Sequence, residues 1–327
     1  MLPAPSPCEG EREKEMATLR VPLQVPSAVE DAKNLRMACE GWGTDEKTLI
    51  DILAHRDAAQ RLQIIQSYED LYNENLIKRL ESEISGDFEK ALYCWMFNQV
   101  QRGAIIANMA LKKELDYRVI VETACINSTK ELLAVKQAYH DHFKHSLEED
   151  VAAKTTGDLR MLLVGLVSTY RYDGKEIDNS LALSEANILH DVIRKKLFNH
   201  DEVIRIFTTR SKAQLIATFN IYKDEHGISI SKDLSSGSPD LFPSVLQVVV
   251  RSIISPHKYF EKLLRLALNK EEADENALAR IIVTRAEKDL QEIKNIYEER
   301  ANMSLIDAID NKTSGNYKYF ILELIGN

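Results

Sequence analysis

The sequence predicts an all-α chain built from four tandem repeats, and three observations carry that reading. Apolar residues recur at three- and four-residue spacing, while strand-like alternation is scarce. Glycine recurs in one setting, in Ser85-Gly86-Asp87-Phe88, Thr155-Thr156-Gly157-Asp158, Ser235-Ser236-Gly237-Ser238 and Thr313-Ser314-Gly315-Asn316, at separations of 157−86 = 71, 237−157 = 80 and 315−237 = 78. A second series, Arg56, Asn127, Arg210 and Arg285, keeps step at 127−56 = 71, 210−127 = 83 and 285−210 = 75.

The repeats are read in order as 25–97, 98–170, 182–254 and 255–327, after a tail of residues 1–24. In the first, Leu49, Ile50, Ile52 and Leu53 mark an apolar helical stripe, continued in the next helix by Ile64, Ile65 and Tyr68. Thr44 is read as the N-cap, with Asp45 and Glu46 favouring the positive end of the helix dipole. The polar stretch 171–181, which contains Gly174, reads as a joint separating the first pair of repeats from the second. In the last repeat Leu278, Ile281, Ile282, Leu290, Ile293 and Ile296 restore the same spacing.

A chain of 327 residues is too long for one simple core and long enough for several small ones. With 42 basic and 51 acidic side chains the net charge is -9. That balance excludes nucleic acid, which calls for a basic face, and simple adhesion to anionic lipid. An acidic protein meeting an acidic membrane needs a cationic bridge. Cys8, Cys39, Cys94 and Cys125 form no Cys-x-x-Cys pair and read as reduced cytoplasmic thiols. The N-terminus lacks an apolar signal core, and no run of 18 apolar residues exists to span a bilayer.

The stretch Gly41-Trp42-Gly43-Thr44-Asp45-Glu46 is the most informative on the chain. Its glycines allow a tight loop whose carbonyls face outward. Carbonyl oxygens joined by a distant carboxylate, Glu83, form a hard-oxygen cage suited to Ca²⁺. Trp42, between two glycines, reads as an apolar group held toward a partner surface, where the membrane interface favours Trp.

A fourfold helical repeat with Gly-x-Gly-Thr and a later acid resembles an annexin, and more narrowly the plant annexins. Met16-Ala17-Thr18-Leu19-Arg20-Val21-Pro22, Ile52-Leu53-Ala54-His55-Arg56, Ser146-Leu147-Glu148-Glu149-Asp150-Val151, Ser168-Thr169-Tyr170-Arg171-Tyr172-Asp173-Gly174 and Thr208-Thr209-Arg210-Ser211-Lys212-Ala213-Gln214 carry the likeness, which covers Met16 to Gly326. Residues 1–15 lie outside it. The resemblance implies about five helices per repeat, packed as a curved disc with its loops on one convex face. It also implies a monomer in solution that attaches peripherally to anionic phospholipid membranes from the cytoplasm. The implied calcium ligands are the carbonyls of Cys39, Gly41 and Gly43 with the carboxylate of Glu83, at an offset of 83−41 = 42. Weaker sites would use Thr44 with Glu46, and Ile84 with Glu89.

The other repeats depart from that pattern. The position of Glu83 is taken by Lys154, Leu234 and Lys312, and the loops Leu111–Asp116, Arg194–Asp201 and Asn269–Asp274 contain no glycine. A lysine ammonium where Ca²⁺ belongs repels it. One competent strong site is therefore expected, with intrinsic affinity on the order of 10⁻⁵–10⁻³ M from its low ligand charge. Lysines of the degenerate loops would add about 1 kcal/mol each near anionic headgroups. Membrane binding is then assisted by calcium rather than strictly dependent on it.

Several tempting residues read as structural. His55 matches a histidine linked with peroxidase-like activity in plant annexins, but no Cys-x-x-Cys-His accompanies it. Cys125 matches half of a cysteine pair whose other half is Ser252 here, so it reads as core. His142 and His145 read as sharing a solvated helix face with no zinc-enzyme pattern. Asp173-Gly174-Lys175 has Thr169 where a P-loop needs glycine. Ile204-Arg205-Ile206 matches a tripeptide proposed for F-actin contact, with the spacing of an ordinary buried helix. No catalysed reaction is expected; a redox enzyme using His55 and an actin scaffold are the alternatives.

Overall fold

Polar caps punctuate the chain into short helices. In the computed structural model, which describes residues 16–41, 43–112, 114–168, 171–199, 201–235 and 240–326, each repeat folds into five helices. Repeat 1 holds α1 (Ala28–Ala38), α2 (Glu46–Leu53), α3 (Ala58–Tyr72), α4 (Leu76–Glu83) and α5 (Gly86–Met96). Repeat 2 holds α6 (Gln99–Lys112), α7 (Tyr117–Ile126), α8 (Thr129–Phe143), α9 (Leu147–Lys154) and α10 (Gly157–Val167). Repeat 3 holds α11 (Asn179–Arg194), α12 (Asp201–Thr209), α13 (Lys212–His226), α14 (Ile230–Asp233) and α15 (Leu241–Ile254). Repeat 4 holds α16 (Pro256–Leu268), α17 (Glu275–Arg285), α18 (Leu290–Ala301), α19 (Leu305–Lys312) and α20 (Gly315–Leu324). Among the described residues there is no strand.

The repeat markers have physical jobs. Gly86, Gly157 and Gly315 open α5, α10 and α20 with φ of 75°, 55° and 64°, a left-handed geometry that glycine enters without steric cost. Gly237 lies outside the described residues. A further repeat feature is the left-handed C-cap of the third helix, at Asn73, Lys144, Gly227 and Asn302. Its residue type varies, which hides it in the sequence. Arg56 forms a buried two-pronged pair with Asp31 at 2.7 and 2.9 Å, and Arg210 pairs with buried Glu185 at 2.8 Å. Both acids lie 25 residues upstream of their arginines. Asn127, at the corresponding place in repeat 2, accepts a hydrogen bond from Lys212 Nζ at 2.6 Å through its carbonyl.

The anticipated apolar stripes face inward. Leu49, Ile50, Ile52, Leu53, Ile64 and Tyr68 are buried in repeat 1, and Leu278, Ile281, Ile282, Leu290 and Ile293 in repeat 4. Full burial of such a side chain contributes about 1.5–3 kcal/mol.

The chain divides into two compact units. One contains residues 1–102 and 257–327, and the other residues 103–256. Repeat 1 thus packs with repeat 4, through α5 against α17 and α20 against α2 and α5. Repeat 2 packs with repeat 3, through α7 against α15 and α10 against α12. The irregular residues 172–178 join two repeats of one unit, because the faces left open by repeat 2 are covered by repeat 3.

Buried charge knits the first unit. Trp95 is fully buried against two guanidiniums, with Arg61 at 3.9 Å and Arg102 at 4.7 Å from its ring centre. Glu287 of repeat 4 faces both arginines, at 3.2 and 3.1 Å, and accepts the Ala58 N–H at 3.0 Å.

A second cluster in this unit gives stability a pH dependence. His257 Nε2 lies 2.9 Å from Asp289, which Arg285 also pairs. Burial pushes the Asp289 carboxyl up, but the hydrogen bonds from His257 and Arg285 outweigh it and hold it at about 2. The same bond raises His257 above its ordinary 6.5. Stability from Asp289 is therefore present above its ordinary 3.8 and lost as pH falls toward 2. Stability from His257 is present below 6.5 and lost as pH rises through its raised value. Urea unfolding of wild type and Asp289→Asn at several pH values checks this. Between pH 4 and pH 2 the wild type is expected to lose about 2 kcal/mol more than the variant.

Candidate calcium site

The loop between α1 and α2 brings two of the expected oxygen donors together, the Cys39 carbonyl and the Glu83 carboxylate. Gly41 and Gly43 are exposed and have φ of 113° and 96°, so a side chain at either would strain the backbone. The Asp45 N–H closes the loop on Ala38 O at 2.9 Å, as Asp116 does on Ala110 at 3.0 Å and Asp274 on Ala267 at 3.1 Å. Trp42 lies outside the described residues.

Asp45, not Thr44, caps α2. The Asp45 carboxylate accepts the Thr48 N–H at 3.1 Å and the Thr48 hydroxyl at 2.7 Å, and these bonds hold its pKa below the ordinary value. Thr44 falls one residue too early for that task. Its hydroxyl instead donates to Glu83 Oε2 at 2.7 Å. This bond joins the loop to the last residue of α4, 83−44 = 39 positions later.

Cys39 ends α1 with a buried thiol. Burial pushes that thiol up, and the nearby charge of Glu83 adds to the effect. The group stays protonated at neutral pH, so Cys39 offers only its carbonyl. That carbonyl accepts a hydrogen bond from Arg79 Nη2 at 2.6 Å, and the same nitrogen lies 2.8 Å from Glu83 Oε1. Two oxygens from residues 83−39 = 44 positions apart thus converge on one cationic nitrogen. The donor set is all oxygen with one carboxylate, which fits Ca²⁺. Among the described residues no group of three or more His, Cys, Asp or Glu is placed to hold a metal. A site built mainly from backbone carbonyls would not form such a group.

Sequence reasoning missed Arg79 and the Thr44 hydroxyl. The only signal for Arg79 was its place one turn before Glu83, at the i,i+4 spacing. As for the weaker sites, Glu46 is in the first turn of α2, directly after the Asp45 cap, and Ile84 and Glu89 line one small cleft with Leu80 and Tyr93.

The corresponding places elsewhere lack this arrangement. In repeat 4 the Lys312 ammonium lies 3.4 Å from Lys270 O, at an offset of 312−270 = 42 that equals the one between Glu83 and Gly41. In repeat 3 Leu234 is buried. In repeat 2 Lys154 is exposed at the end of α9.

The other candidate residues are tied into the protein. His55 Nδ1 faces Asp51 O at 3.2 Å and Nε2 faces Glu323 at 3.3 Å. Cys125 and Ser252 are buried. His145 does not share a helix face with His142, because α8 ends at Phe143 and Lys144 turns the chain with φ of 64°. The Asp173 carboxylate accepts the Thr129 N–H at 3.2 Å. Ile206 is buried, and Arg205 pairs with Glu202 at 2.8 Å and Glu185 at 3.2 Å.

The annexin sequence profile matches residues 30–95, 104–166, 184–238 and 259–324, one match per repeat. Annexin-like protein RJ4 of Fragaria ananassa is 54% identical over 312 residues, covering 95% of this chain and 99% of its own. Annexin D7 of Arabidopsis thaliana is 48% identical over 313 residues, with the same coverage. Chicken annexin V superimposes with a TM-score of 0.88 at 28% identity, covering 95% of this chain and 99% of its own. A calcium-bound annexin (Sm)1 structure superimposes with a TM-score of 0.76 at 29% identity, covering 92% of this chain and 90% of its own. With five helices in each of four repeats and a profile match in every one, the chain belongs to the annexin family.

Proposed function

We propose that this chain binds anionic phospholipid membranes peripherally, through one calcium site formed by the carbonyls of Cys39, Gly41 and Gly43 and the carboxylate of Glu83. The observation that carries the reading is the convergence of Cys39 O and Glu83 Oε1 on a single cationic nitrogen, at 2.6 and 2.8 Å. Membership of the annexin family and the calcium-bound state of annexin (Sm)1 support it. Bound there, Ca²⁺ supplies the positive charge through which a lipid phosphate oxygen and an acidic protein attract one another. The chain's own residues do the rest. Gly41 and Gly43 keep the loop backbone open to solvent, and the Thr44 hydroxyl fixes the Glu83 carboxylate. Trp42, between the two exposed glycines, enters the headgroup region. Among the described residues no helix is long and apolar enough to cross a membrane. No catalytic step is part of this proposal.

With one neutral-rich site, lysines of the other repeats carry part of the attraction to lipid, and salt screens that part. Co-sedimentation with phosphatidylserine-containing vesicles tests both contributions. Calcium is expected to increase the bound fraction, and the fraction bound in chelator is expected to fall as salt rises. Equal binding with calcium and with chelator at every salt concentration would overturn the proposal.

A further inference from the structure

We infer that Arg79 is a resident cation of the repeat-1 loop that competes with calcium and sets the site's threshold. The inference rests on the reading of that loop as the calcium site. Arg79 Nη2 lies 2.6 Å from Cys39 O and 2.8 Å from Glu83 Oε1. Ca²⁺ takes its oxygen ligands at about 2.3–2.6 Å. A metal ion sharing these two oxygens would need the space of that nitrogen, and two cations so close repel. Loading and the Arg79 contacts therefore exclude one another.

Repeat 4 gives an internal comparison. There the cation stands at the acid position itself, as Lys312, and reaches a loop carbonyl at the same 42-residue offset. No carboxylate stands at the position of Glu83 there, so that loop has no acid of this kind to uncover. In repeat 1 the cation stands one helical turn before the acid, and its departure uncovers Glu83. Among the described residues, both close contacts of Arg79 run through Nη2. Its Nε is buried with no hydrogen-bond partner among the described residues, and its other acidic neighbour, Glu74, is 4.0 Å away. By contrast, Arg36 contacts Glu40, Tyr68 and Glu74 through Nε and Nη1. Glu74, which Arg36 already holds through Oε2, has its Oε1 4.0 Å from Arg79 Nη1 and can share its charge with both arginines when the loop takes up calcium.

Calorimetric titration of calcium into the full chain tests this, using wild type, Arg79→Ala, Arg79→Gln and Lys78→Ala. Both Arg79 variants are expected to bind calcium about tenfold more tightly, equivalent to about 1.4 kcal/mol. Lys78 is exposed on the same helix, and its removal is expected to change the affinity less than twofold. Arg79→Gln keeps most of the stem and a polar head, so it carries the test if the alanine variant folds poorly. Thermal unfolding in chelator gives a second readout: the Arg79 variants should melt no higher than wild type, yet gain more from added calcium. Wild-type binding with unchanged or weaker binding by the Arg79 variants would overturn this inference alone, as would a Lys78→Ala effect of equal size. No calcium binding by any of the four proteins would overturn the calcium reading together with it.

Discussion

Glu287→Ala is expected to destabilise the unit formed by repeats 1 and 4 by about 3–5 kcal/mol, the range for removing one partner of a buried ion pair. Glu287 is the shared acid of two buried guanidiniums, at 3.2 Å from Arg61 and 3.1 Å from Arg102. Burial pushes Arg61 down to about 10, against the opposing pull of Glu287, and it pushes Arg102 down in the same way. Backbone carbonyls satisfy several of their N–H groups, including Cys94 O at 3.0 Å and Phe97 O at 2.9 Å from Arg102. Those dipoles cannot replace a full negative charge. Without Glu287, two buried like charges lie against Trp95 with no acid between them, which makes this loss larger than that of an exposed pair. Differential scanning calorimetry in chelator is expected to show a fall of about 10 °C or more. Glu287→Gln keeps the acceptor shape and is expected to lie between the two. A shift under 2 °C for Glu287→Ala would mean that the arginines keep their places without it.

Glu83→Gln is expected to weaken calcium binding by about 100-fold, or about 2.8 kcal/mol. In the proposed site Glu83 is the only carboxylate, so its neutralisation would remove the whole formal charge of the cage. The same substitution is expected to leave the calcium-free fold almost unchanged. The Arg79–Glu83 pair is partly exposed, at 26% and 20% of the side-chain surface, and such pairs contribute about 0–1 kcal/mol. The amide oxygen of the substituted side chain can still accept the Thr44 hydroxyl. Calorimetry with calcium and melting in chelator therefore separate the ligand role from a structural one. Loss of calcium binding together with a large drop in chelator Tm would assign Glu83 to the fold.

The fold was legible because its markers are tied to backbone necessity. Gly86, Gly157 and Gly315 hold positive φ, which glycine enters without steric cost, and their residue type makes the repeat visible. Arg56 and Arg210 persist because each neutralises a buried acid at the same spacing. The left-handed caps at Asn73, Lys144, Gly227 and Asn302 were not legible, since side chains other than glycine tolerate that geometry at modest cost. The pairing of repeat 1 with repeat 4 was also hidden. Local periodicity marks which face of a helix is apolar, not which later helix covers it.

The same divide runs through the site. Gly41, Gly43 and Glu83 stood out by residue type and spacing. Thr44 and Asp45 are both competent caps, and only the loop's path decides that Asp45 meets Thr48 while Thr44 turns to Glu83. No residue type or motif sets Arg79 apart in the sequence. Its flexible stem, curling back to the end of α1, is what gives it a part in the site.

In the proposed function a single calcium ion in repeat 1 is shared with lipid phosphate. Equilibrium dialysis of radioactive calcium against protein saturated on phosphatidylserine vesicles, corrected for vesicles alone, counts that ion directly. One ion per wild-type chain and none per Glu83→Gln chain is the predicted result. A count near zero for wild type, or one that Glu83→Gln leaves unchanged, would contradict the account.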